Sequence, residues 1–95
     1  GGEKVWPDPV EAVLRSVPGV VDVAVTGVAD PQWGHRVVAH VVAGETEMPS
    51  LEQLREAVKA VLPAYCAPKQ LLIVAAIPRT ALGKVRRAAL RAHED

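Results

Sequence analysis

The residues best suited to chemistry lie in one run, Pro78-Arg79-Thr80-Ala81-Leu82-Gly83-Lys84-Val85-Arg86-Arg87. Thr80 and Gly83 are what a tight loop needs, because Gly tolerates φ > 0 and a hydroxyl bonds the backbone around it. A Lys carried on such a loop at the end of a sheet strand can reach into a partner's active site. There its ammonium meets a carboxylate or phosphate oxygen as a compact point charge. Read from the residues alone, an ordinary surface lysine in a turn is the favoured reading of Lys84, and the chemical one stays open beside it.

Other chemistry has less support. His35, His40 and Cys66 do not have metal-ligand spacing, and no zinc signature is present. Gly83-Lys84 is followed by Val85 where a phosphate-binding P-loop needs Ser or Thr. No Gly-x-Ser-x-Gly nucleophile elbow occurs. The net charge of the 95 residues is zero, yet its distribution is uneven. Residues 1–62 hold five Lys or Arg against nine Asp or Glu, and residues 63–95 hold six against two, Glu94 and Asp95. The run around Lys84 is therefore locally positive, which suits anionic ligands such as nucleotide or CoA phosphates. For Arg86, Arg87 and Arg91 a solvated helix face remains the other reading. The basic tail lacks the interleaved aromatics of a single-strand binder, so no nucleic-acid partner is expected.

The elements that must position this run can be read from pattern. Val5-Trp6 suggests a short strand. Asp8 and Pro9 read as N-cap and first helical residue, with Glu11 in the first turn favouring the helix dipole. Val10, Val13, Leu14 and Val17 form one stripe, and Pro18-Gly19 ends the helix. Val20 to Val28 alternates as a strand, with Val21, Val23 and Val25 on one face. A loop over residues 29–34 leads to a second strand, His35 to Val42, that pairs back on the first. Trp33 in that loop reads either as a lid on the sheet edge or as a contact with another domain. Ser50 and Gln53 form a capping box. It opens a helix that buries Leu51, Leu54, Val58 and Leu62 and turns Glu52, Arg55, Glu56 and Lys59 to water, with Pro63 ending it. Leu71 to Ala76 reads as a strand covered on both faces, and Val85 to Ala92 as a last short helix. The expected fold is α+β, a small sheet of about three strands with helices packed on it.

Ninety-five residues make a single domain with a modest core, built from Val, Ala, Leu and Ile because Phe is absent. Apolar residues at 49% exclude a disordered chain, and no apolar run approaches a membrane span. The opening Gly-Gly-Glu-Lys has no signal-peptide pattern, and the lone Cys66 cannot form an internal disulfide. A cytoplasmic setting is expected.

The run Pro78, Arg79, Thr80, Ala81, Leu82, Gly83, Lys84, Val85 resembles the last core motif of the adenylate-forming superfamily, which joins acyl-CoA synthetases, peptide-synthetase adenylation domains and luciferases. That motif reads Pro, Lys or Arg, Thr, two variable residues, Gly, Lys and an aliphatic residue. Leu82 stands where the family commonly has Ser. A second stretch, Gly1-Gly2-Glu3-Lys4-Val5-Trp6-Pro7-Asp8-Pro9-Val10-Glu11, resembles the hinge-proximal motif that opens the family's C-terminal domain. Its Gly-Gly-x-x-Val-x-Pro form favours acyl-CoA ligases and is somewhat like the o-succinylbenzoate-CoA ligases, although Trp6-Pro7-Asp8-Pro9 is less common wording.

The resemblance implies that residues 1–95 are the mobile C-terminal domain of a two-domain ligase whose larger N-terminal domain lies upstream. It implies ATP, Mg2+, CoA and a carboxylic acid as the reactants of the whole enzyme, with the N-terminal domain as partner. Lys84 is then the catalytic lysine that bridges the acyl carboxylate and the ATP phosphates, with Gly83 beside it at the nucleotide. Gly2 would lie against the pantetheine arm during thioester formation, with Glu3 and Lys4 on the same CoA-facing surface. No metal ligand is implied. The isolated chain is expected to be inactive. A peptide-synthetase adenylation domain and a non-catalytic α+β interaction module remain as alternatives.

Overall fold

The fold was read from a computed structural model, which describes residues 6–30 and 34–91. Helix α1 (Pro7–Leu14) is followed by strand β1 (Val20–Asp30) and strand β2 (Gly34–Ala43). Helix α2 (Leu51–Val61), a 3-10 turn at Ala64–Cys66, strand β3 (Gln70–Ile73) and helix α3 (Arg87–Arg91) complete the order. The three strands form one mixed sheet in the order β1-β2-β3. β1 pairs antiparallel with β2, and β2 pairs parallel with β3. A parallel neighbour cannot be reached by a hairpin, so the chain crosses over through α2. The expected α+β architecture is the observed one.

One sheet face carries Val23, Val25, Val37, Ala39 and Val41, which pack with Val10, Leu14 and Val17 and with Leu54 and Val58 of α2. The opposite face carries Ala24, covered by Ile77 and Leu90. Thr26 and His40 are also fully buried and meet at 2.9 Å between Oγ1 and Nε2. β1 and β2 are thus sandwiched between two layers, and the second layer is the chain segment that carries Lys84.

Several boundaries differ from the sequence expectation, each for a local reason. α1 starts two residues early: Trp6 is the N-cap and Pro7 sits at the first helical position. The first four helical N–H groups have no intrahelical acceptor, so Pro7 and Pro9 both fit there and the second proline does not mark the start. Trp6 is therefore not in a strand, and Val5 lies outside the described residues. The helix closes at Leu14, and i→i−3 bonds from Ser16 to Val13 (3.1 Å) and from Val17 to Leu14 (3.1 Å) carry Val17 into the core. Gly19 then turns the chain at φ +92, and a Cβ there would meet the Glu47 carbonyl oxygen at 2.8 Å.

Val21 is 68% exposed, contrary to its expected place beside Val23 and Val25. The register shifts between Val20 and Asp22, and such a bulge breaks the period-two alternation on which the expectation rested. β1 runs on to Asp30 and β2 begins at Gly34, so the loop between them is shorter than expected, and Trp33 lies outside the described residues. β3 stops at Ile73, and Ala75 and Ala76 are exposed. The continuous apolar run is thus a half-buried edge strand and its extension, not a strand covered on both faces. The last helix begins at Arg87, because Val85 is held in an isolated bridge to Arg79.

The capping box is present as expected, with Gln53 N–H donating to Ser50 Oγ (3.1 Å) and Ser50 N–H to Gln53 Oε1 (2.8 Å). Leu54 and Val58 are fully buried, whereas Leu51 and Leu62 are half-buried. Arg55 does not simply face water: its Nη1 donates to the Pro68 carbonyl at 2.9 Å and ties α2 to the approach to β3. Cys66 is buried, and burial pushes its thiol pKa above the ordinary value.

Glu11 is the largest departure. Its side chain is only 4% exposed and does not serve as a surface charge for the helix dipole. Its Oε2 accepts from the Val25 N–H (2.8 Å) and from Arg87 Nη2 (2.8 Å). Arg87 Nε in turn donates to the Val25 carbonyl at 3.1 Å. Removing one partner of a buried pair strands the other. Arg87→Ala is expected to destabilise the chain by about 3 kcal/mol in urea unfolding. Glu11→Gln, whose amide oxygen still accepts one bond, should cost about 1 kcal/mol. The reverse ranking of the two variants would contradict this account.

Candidate functional site

The loop that carries Lys84 is a narrow excursion closed at its base. Arg79 and Val85 face each other in an antiparallel bridge, and Arg86 N–H donates to the Pro78 carbonyl at 2.8 Å. Thr80 N–H donates to the Lys84 carbonyl (2.8 Å), and Gly83 N–H donates to the Thr80 carbonyl (2.9 Å). The Thr80 hydroxyl oxygen accepts from both Leu82 N–H (3.3 Å) and Lys84 N–H (3.2 Å). Thr80 therefore binds both backbone polar groups of Lys84, which explains a Thr at that spacing. Gly83 adopts φ +88, the left-handed region that L side chains avoid. No atom lies within 4 Å of where its Cβ would stand, so the requirement is conformational and not steric.

Lys84 itself is exposed, and among the described residues its ammonium has no ion-pair partner. The neighbouring cations divide sharply. Arg79 is engaged with Asp22 at 2.8 and 3.1 Å and with the Gly83 carbonyl at 3.0 Å. Arg87 is committed to Glu11 and lies 4.0 Å from Asp8. Of the two readings of the basic segment, the ligand-facing one is thus unavailable to Arg87, while the exposed Arg86 stays beside Lys84. Leu82, at the loop tip, is 91% exposed. An apolar groove of ≈ 560 Å³ lies before the loop, lined by Leu72, Ile73, Val74, Ala75, Ala76, Pro78 and Leu90.

Lys84 and Gly83 are adjacent on this loop, as the sequence requires. Gly2, Glu3 and Lys4 lie outside the described residues. Among the described residues no group of three or more His, Cys, Asp or Glu could hold a metal ion, and no helix is long and apolar enough to cross a membrane. Sequence reasoning missed Asp22 and the anchoring role of Arg79, a pair separated by 57 positions. The available signal was the parity of Asp22 with the apolar Ala24 on the same sheet face, which marks the carboxylate as facing a covering layer.

Gly83→Ala is expected to strain the loop by about 1–2 kcal/mol while leaving the core intact. Amide exchange at Gly83 and Lys84 should accelerate, with exchange in α2 around Leu54 and Val58 unchanged. Unchanged exchange at the loop would show that the positive φ is not required.

Comparison with known proteins gives this geometry a context. Residues 9–84 match the family described as AMP-binding enzyme C-terminal domain. A probable 2-succinylbenzoate–CoA ligase of Mycobacterium tuberculosis is 48% identical over 91 residues, which cover 95% of this chain and 24% of that protein. The structure of a Mycobacterium tuberculosis fatty acyl CoA synthetase superposes with a TM-score of 0.85 at 40% identity, over 97% of this chain and 18% of that one. ATP-bound MatB from Rhodopseudomonas palustris superposes with a TM-score of 0.86 at 32% identity, again over 97% and 18%. The chain thus spans about a quarter or less of the length of these relatives.

Proposed function

Because the chain belongs to the AMP-binding enzyme C-terminal domain family, we propose that it is the lysine-bearing domain of an AMP-forming acyl-CoA ligase. The observation that carries this reading is the mounting of Lys84: an exposed, uncommitted ammonium on a loop whose backbone Thr80 and Gly83 hold in one conformation. A larger N-terminal domain is the natural partner, since the relatives are four or more times longer than the matched segment.

The first half-reaction joins a carboxylic acid and ATP. A carboxylate oxygen attacks the α-phosphorus, the bond to the bridging oxygen breaks, and pyrophosphate leaves with the electron pair, giving acyl-AMP. Charge accumulates on phosphoryl oxygens along that path. Lys84, entering the site of the larger domain, places its ammonium against the carboxylate and phosphate oxygens and lowers the barrier electrostatically. Mg2+ accompanies the nucleotide, with its ligands supplied by phosphate and the larger domain. In the second half-reaction the CoA thiol attacks the acyl carbonyl and AMP leaves. The small domain would then rotate, and the family resemblance assigns Gly2, Glu3 and Lys4 to the path of the pantetheine arm. Identity to a probable 2-succinylbenzoate–CoA ligase makes aromatic and dicarboxylic acids the first substrates to try.

Lys84→Ala in the full-length ligase should lower pyrophosphate release by about 10²–10³-fold while thioester formation from supplied acyl-adenylate persists. Equal pyrophosphate release by both proteins would refute the role of Lys84. The chain by itself should show no ATP-dependent turnover of any acid in a panel, and measurable turnover would show that it carries more of the site than one cation.

A further inference from the structure

We propose that Asp22 and Arg79 are a positioning pair for Lys84, clamping the peptide unit between Gly83 and Lys84 to the sheet. This inference rests on the role of Lys84 proposed above and adds residues on which that role depends.

The geometry points to the clamp from both ends. At the sheet, the bulge between Val20 and Asp22 sends Val21 outward and leaves Asp22 paired with Val42, on the face shared by Ala24 and Thr26. That face is the one covered by the segment carrying the loop. Bulges commonly re-aim a side chain in this way. Asp22 Oδ1 also accepts its neighbour's Val23 N–H at 2.9 Å, which fixes the carboxylate against the strand. At the loop, the Arg79 guanidinium uses Nη2 on both Asp22 oxygens and Nη1 on the Gly83 carbonyl. The planar fork suits this division, since one rigid group holds two acceptors at once.

The consequence falls on one peptide plane. Its carbonyl, on Gly83, is bonded by Arg79, and its N–H, on Lys84, is bonded by the Thr80 hydroxyl. With both polar groups held, rotation of the plane is restrained, and so is the direction in which the Lys84 side chain leaves the backbone relative to β1. Thr80 alone would fix the lysine only within its own loop; the Asp22–Arg79 contact ties that loop to the fold. Both partners are about one-third exposed, so solvent screening leaves the pair little net effect on stability. Its effect is therefore expected in the geometry of Lys84, where a displacement of about 1 Å can cost up to about 10²-fold in rate.

The test uses the full-length ligase with Asp22→Asn, Arg79→Ala, the double variant, Arg79→Lys and Lys84→Ala. Pyrophosphate release is followed beside thioester formation from supplied acyl-adenylate and thermal unfolding. Each single clamp variant should slow pyrophosphate release by about 10–100-fold, with thioester formation and melting temperature nearly unchanged. The double variant should be no slower than the worse single variant, because the two residues act as one unit. Arg79→Lys should fall between wild type and Arg79→Ala, since an ammonium keeps the charge and its donors but lacks the planar fork that reaches Asp22 and the Gly83 carbonyl together. Equal losses in both half-reactions, or losses that multiply in the double variant, would overturn the clamp. So would normal pyrophosphate release by the clamp variants where Lys84→Ala abolishes it, leaving the role of Lys84 standing. Normal release by Lys84→Ala as well would remove the functional reading and the clamp together.

Discussion

The structure depends on a buried carboxylate. Glu11 is held inside the fold by the Val25 N–H and the Arg87 guanidinium, and Arg87 returns a bond to the Val25 carbonyl. β1 is an outer strand, and the backbone groups on its free side would otherwise be open to water or to another chain. At Val25 both are satisfied by side chains, one from α1 and one from α3. A single polar junction therefore fixes the helix that opens the described chain, the strand it packs on and the helix that follows the lysine loop. The attraction between the two charges does little more than offset their desolvation. What the junction supplies is a unique placement: slippage of α3 along β1 would take the Arg87 guanidinium from the buried carboxylate, leaving it the Val25 N–H and Arg15 at 3.8 Å.

Much of this architecture is legible in the sequence because it is written in local chemistry. Ser50 and Gln53 announce the start of α2, Pro18-Gly19 announces the end of the first helical stretch, and Gly83 announces a positive φ. The placement of Lys84 on a tight turn follows from Thr80 and Gly83 alone. The family motif adds the use proposed for that turn, and residues 9–84 belong to the AMP-binding enzyme C-terminal domain family.

What is not legible is whatever depends on residues far apart in the chain. Glu11 near a helix start has a sufficient local explanation in the dipole, so nothing in its neighbourhood signals a partner 76 positions away. The exposed Val21 follows from a bulge that no turn residue marks. The apolar run after Gln70 looks like a central strand, but among the described residues β3 has only β2 beside it, and its length follows how much of β2 remains to pair with. Arg87 reads as ligand-facing or as part of a solvated helix face until the carboxylate that engages it is located. Net local charge locates the patch but does not assign the use of each cation, because positive residues near a site can be holding the site together.

That division of labour among the cations bears on how so small a fold would serve the proposed adenylation. Adenylate formation asks little covalent chemistry of the protein; positioning and charge do most of the work. Among the described residues the loop offers Lys84 and, beside it, the exposed Arg86, while Arg79 and Arg87 are spent on mounting. A lysine has a flexible stem and a strongly hydrated ammonium. Its usefulness as an electrostatic catalyst therefore rests on how much of its freedom is removed before substrate arrives. Thr80 fixes the backbone around it, Gly83 permits the turn, Arg79 joins the turn to β1, and Arg87 secures the exit of the loop to α1. On the proposed function, the sheet and helices are a rigid mount for one ammonium group, and such a mount would be withdrawn and returned as a body without rebuilding the site each time.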